Sequence, residues 1–61
     1  MRIYDVNFGH MRHGENWSRV RVAVRGYAKE AIIKAERDPD VKKWNGRLRV
    51  VSVELVASEK G

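Results

Sequence analysis

Between residues 2 and 25 the chain alternates twice, and that pattern narrows its folding options more than anything else in it. Tyr4, Val6 and Phe8 share one parity, while Asp5, Asn7 and Gly9 share the other. Val20, Val22 and Val24 then alternate with Arg19, Arg21, Ala23 and Arg25. Period-two alternation places one set on a buried face and the other toward water, which describes half-buried strands over about residues 2–11 and 17–25. The β-branched valines fit a pleated surface. Between the runs stand His13, Gly14, Glu15 and Asn16. Gly14 and Asn16 both tolerate the positive φ of a tight turn, so the two strands are expected to form a hairpin.

From Ala28 the period changes. Ala28, Ala31, Ile32 and Ala35 fall at i, i+3, i+4 and i+7, the stripe of an amphipathic helix over about residues 28–37. Glu30 and Lys34 stand four apart in the favourable order. Gly26 and Tyr27 precede the helix where a Ser, Thr, Asp or Asn cap would be stronger. Either the first turn frays or packing of Tyr27 holds it. Asp38, Pro39 and Asp40 end this helix and open a shorter one over about residues 39–44, with Asp38 as N-cap and Pro39 in the first position. Val41 and Trp44 share a face of it, and Trp44 is expected to seal one end of the core. Asn45 and Gly46 suit a left-handed close.

The last strand, about residues 47–56, carries a conflict of parity. Leu48 and Val50 belong to one face, and Val51, Val53 and Leu55 to the other. A bulge near Val50 and Val51 lets both sets point inward. Without one, Leu48, Val50 and Val56 lie on the open face beside Ile3. Residues 57–61 are expected to fray.

The order is therefore strand, strand, helix, short helix, strand: a small α+β domain of ββαβ type. Placing the third strand against the first gives the order 2-1-3, makes every pair antiparallel, and centres the helix over Tyr4, Val6 and Phe8. A right-handed crossover is the default. The whole chain reads as a single domain, because 61 residues leave no room for a second core. No cysteine is present, so disulfides and thiolate metal sites are excluded. At 43% hydrophobic and 34% charged residues the chain is too apolar for a disordered tail. Its longest uncharged apolar run, residues 50–53, falls far short of the roughly 20 residues of a membrane helix. The first residues lack the apolar segment of a signal peptide, and a cytoplasmic location is expected.

Thirteen Lys and Arg against eight Asp and Glu give a net charge of +5. Residues 1–25 hold five basic and two acidic side chains, so most of the excess lies in the hairpin. One helix covers one side of a three-stranded sheet, and the other side faces water or a partner. On these parities that face carries Trp17, Arg19, Arg21 and Arg25 from the second strand, and Arg47 and Arg49 from the third. Guanidinium groups pair with phosphates and an indole stacks on a base, so these six residues are the candidate surface for nucleic acid. The same arginines would also keep an exposed strand soluble and guard its edge. The aromatic pair that ribonucleoprotein-type sheets carry in their strand centres is missing.

Other constellations read more simply. His10, Met11, His13 and Glu15 could in principle hold a metal, but they are better explained as polar residues of a turn. Asp38 and Asp40 are explained as helix-start residues rather than an acid–base pair. Ser18, Ser52 and Ser58 have no His–carboxylate arrangement, and no Gly-rich phosphate loop exists. No enzymatic activity and no cofactor are expected. An alternating strand, a Lys-Glu-Ala helix start and a Val-rich strand together resemble, in type, small bacterial and phage accessory proteins. The leading expectation is a binding module for an anionic partner, nucleic acid ahead of an acidic protein surface. The alternative is a protein-interaction or homodimerisation module that uses a sheet edge with Trp17 and Tyr27.

Overall fold

The alternating segments pair as their parities require. A computed structural model describes residues 1–44 and 46–58, except for the side chains of residues 15 and 16. Strand β1 (Arg2–His10) lies in the middle of a three-stranded antiparallel sheet of order β2-β1-β3, between β2 (Gly14–Val24) and β3 (Leu48–Ser58). Helix α1 (Ala28–Glu36) and the short α2 (Pro39–Lys42) form the crossover. Gly14 adopts φ 104° where β2 begins, and Gly46 adopts φ 79° before β3. Those left-handed values suit glycine.

One face of the sheet and α1 enclose the core. Val6, Phe8, Ala31 and Ala35 are essentially inaccessible, and Tyr4, Val22, Val24 and Val41 are buried around them. Tyr27 sits at the N-cap of α1 with no side-chain cap bond. It does not hold the helix by burial, since it is exposed and the Arg2 guanidinium lies 4.3 Å from its ring centroid. Asp38 caps α2 as expected, its carboxylate accepting from the Asp40 N–H at 2.9 Å, with Pro39 in the first turn.

The parity conflict in β3 is resolved by a bulge. Asn7 pairs with Ser52 but Phe8 pairs with Val50, so Val51 is the extra residue. Leu48, Val50 and Val53 consequently all pack against the core. A second shift leaves Val56 between Leu55, opposite Tyr4, and Ala57, opposite Ile3. Residues 57 and 58, expected to fray, are thus held in the ladder against Ile3 and Arg2. Residues 59–61 and Asn45 lie outside the described residues.

The helix is less central than expected. Lys34 donates from Nζ to the Ala23 carbonyl at 2.7 Å and ties α1 to β2. Val22 and Val24 of β2 are buried, whereas no residue of β3 is. Among the described residues, no helix is long and apolar enough to cross a membrane.

Candidate nucleic-acid interface

The face away from α1 is polar but largely self-compensated at its centre. Pairing places Arg21 opposite Asp5 and Arg19 opposite Asn7. Arg21 donates to Asp5 twice, Nε to Oδ1 at 2.8 Å and Nη2 to Oδ2 at 3.1 Å. This forked geometry is the stronger kind of charge-assisted bond. Arg19 donates from Nε to Asn7 Oδ1 at 2.9 Å, and its Nη1 lies 3.9 Å from Asp5. Asn7 in turn donates to Ser52 Oγ at 2.9 Å, so one polar chain crosses all three strands. Asp5 and Asn7, expected to face water, are only 4% and 9% exposed, because the arginine side chains cover them. The Arg21 hydrogen bond holds the Asp5 carboxyl below its ordinary pKa, with burial opposing and the charges of Arg21 and Arg19 assisting.

Rings and uncompensated charge gather at the hairpin end. There the β1–β2 ladder shifts: Phe8 pairs with Ser18 and His10 with Gly14, leaving three residues of β2 against Gly9. Trp17, in that widened stretch, stacks on His13 with centroids 4.8 Å apart and planes at 21°. His10 lies 4.5 Å from His13 and 5.3 Å from Trp17. Trp44, which follows α2, meets Trp17 edge-on at 5.3 Å and His10 at 5.4 Å. Rather than sealing the hydrophobic core, Trp44 joins Trp17 and both histidines of the chain in one cluster. Its outer members are partly open, with Trp17 38% exposed and His13 exposed.

Two shallow hollows border these rings. One is lined by Asn7, Trp17, Ser18 and Arg19, the other by His10, Met11, Arg12 and Arg47. Residues 8–19 and 44–50 contain Arg12, Arg19, Arg47 and Arg49 against Glu15 alone, which is three of the five net charges. Among the described side chains, Arg12, Arg47 and Arg49 form no ion pair. Of the six residues expected on one surface, Trp17, Arg19 and Arg49 border this end, with Arg47 beside His10. Arg21 lies further along over Asp5. Arg25 stands just past the far end of β2, eight residues from Trp17, or about 27 Å of strand. Arg12, His10, His13 and Trp44 were not expected in the site. The Glu15 side chain lies outside the described residues, and no group of three or more metal-ligating residues occurs among those described.

His10 is 7% exposed, and its Nδ1 accepts the Arg12 N–H at 3.0 Å. Burial lowers its pKa below the ordinary value, and the nearby charges of His13, Arg47 and Arg12 lower it further. A folded-state pKa below the unfolded one means that the unfolded chain takes up the proton first. Stability is therefore expected to start falling as pH drops below about 6.5, through the lower folded value. An NMR titration of the His10 ring that placed its pKa above 6.5 would contradict this. Asp5 has the same sign at lower pH: its contribution is present above about pH 3.9 and is lost as the carboxylate protonates. In Asp5→Asn that second, acid-side loss should vanish from melting curves recorded against pH.

No known protein family, curated protein or solved structure matches the chain, so no relative lends it a function.

Proposed function

We propose that the protein is a non-enzymatic module that binds single-stranded nucleic acid at the hairpin end of its sheet. The observation that carries this reading is the meeting of partly open rings with Arg12, Arg47 and Arg49, which form no ion pair among the described side chains. Unpaired bases offer faces to Trp17 and His13, and stacking of that kind tolerates any sequence. Arg12, Arg19, Arg47 and Arg49 stand where the flanking phosphates would run. Duplex DNA keeps its bases stacked on one another, so it gains the charge contacts without the rings. The reading implies a cytoplasmic location, where single strands are accessible.

Fluorescence anisotropy with a labelled mixed-sequence oligonucleotide, read across a salt series, tests this. Neutralising up to four phosphates gives a log–log slope with salt of up to about −3 for a single strand. Tryptophan emission is expected to be quenched in parallel as a base reaches Trp17. Binding should also raise the His10 pKa toward its ordinary value, because a phosphate offsets the surrounding positive charge. Failure to bind at low salt would end the proposal. Equal binding of polyglutamate without quenching would favour an acidic protein surface instead.

A further inference from the structure

We infer that β3 is the seam of a homodimer in which two copies pair antiparallel through this strand to make one six-stranded sheet. Area gives the first reason. A monomer of 7.1 kDa is expected to expose about 4,100 Å², and this chain exposes 4756 Å². The chain thus exposes about 700 Å² more than that expectation. Part of the exposed apolar surface lies on this strand: Val51, Leu55 and Val56 are 39%, 54% and 45% exposed. Lys34 ties α1 to β2, and Leu48, Val50 and Val53 on the helix side of β3 are only half-buried against the core. A second copy pairing along β3 would cover these side chains further.

Charge and register give the second reason. The only charged residues of β3 are Arg49 and Glu54. Opposite residues of an antiparallel pair share a face. In a regular strand, setting Arg49 opposite Glu54 of a second copy would mismatch the faces, since the two positions differ in parity. The bulge at Val51 reverses parity between them. Leu48, Val50, Val53 and Leu55 lie on the helix side, opposite or beside Phe8, Val6 and Tyr4, while Arg49, Ser52 and Glu54 lie on the other. A twofold axis between Val51 and Ser52 then sets Leu48 against Leu55, Val50 against Val53 and Arg49 against Glu54. Every one of these pairs matches in face and character. On the β2 edge, a twofold axis at Val20 would instead set Arg19 against Arg21, like against like.

Analytical ultracentrifugation across micromolar to millimolar concentrations tests the seam. The wild-type chain is expected to dimerise. Glu54→Arg places like charges opposite each other twice by symmetry, and should weaken the dimer about tenfold or more. The double variant Arg49→Glu with Glu54→Arg restores both pairs and should restore association. Both positions are exposed, and circular dichroism of each variant confirms that it is folded. A wild-type chain that stays monomeric at millimolar concentration would overturn the inference. So would a dimer indifferent to Glu54→Arg, or a double variant no better than the single one.

Discussion

Phe8→Ala is expected to leave the chain largely unfolded at micromolar concentration and 25 °C. Phe8 is 1% exposed and is the largest of the fully buried side chains. It stands mid-sheet, opposite Ser18 on one side and Val50 on the other. Truncating a buried phenylalanine costs about 3–5 kcal/mol, part of it lost transfer energy and part the cavity that remains. A single small core without disulfides supplies roughly 3–5 kcal/mol in total, so the substitution removes most or all of the margin. Far-ultraviolet circular dichroism should show the loss of sheet signal, and the near-ultraviolet bands of the tryptophans should collapse. Met11→Ala, at a position 78% exposed, should change stability by no more than about 0.5 kcal/mol. A Phe8→Ala protein that melted near the wild-type temperature would mean that the core lies elsewhere.

Trp17→Ala should weaken single-strand binding by between about 5- and 150-fold, the range that corresponds to about 1–3 kcal/mol for one stacked base. The loss should leave the salt slope nearly unchanged, because an indole releases no counterions. Trp17→Phe should recover much of the affinity. Removing Arg47 should do the opposite: a smaller loss of affinity with a slope shallower by nearly one phosphate. Arg25→Ala provides the contrast between a local site and a uniformly basic face. At the far end of β2 it should have little effect, and a loss as large as that of Trp17→Ala would mean that the whole face binds.

Element types and the positive φ of Gly14 were legible because periodicity and glycine chemistry are local properties, but the turn lies at residues 11–13 rather than 13–16, and Asn16 falls inside β2. The crossover left few positions for β3, and antiparallel pairing with β1 placed the most apolar residues of the first strand under the helix. The bulge was visible only as a conflict. Leu48 and Val50 against Val53 and Leu55 required some break in parity, but burial in three dimensions selected Val51 as the extra residue. Asp5 and Asn7 illustrate a different difficulty. The turn places His10 opposite Gly14, and continuing that register would set Asp5 against Arg19. The shift beside Gly9 moves the ladder by two residues, which keeps the faces and changes the partners, so Asp5 meets Arg21. A surface carboxylate thereby becomes a buried one, and part of the apparent basic face is neutralised from within.

The site was legible in half. Trp17 and the arginines of β2 and β3 follow from alternation once the strands are assigned. His10 ends β1 and His13 lies in the turn, and a hairpin brings such residues near Trp17, which was the available signal. Trp44 reaches them through the crossover, and no local pattern announces a contact between residues 27 positions apart.

The central place of β1 also sets how the molecule comes apart. Its link to β2 is closed by a short turn, whereas its link to β3 is closed by everything from Met11 to Arg47. Holding the longer loop closed costs more chain entropy, and α1 is tied to β2 rather than to β3. The opening of lowest free energy is therefore the release of β3, with the hairpin and helix still joined. Amide exchange should follow that order, fastest in β3 and slowest in the middle of β1. Whatever covers the outer edge of β3 would slow exchange first in the strand that otherwise opens most easily.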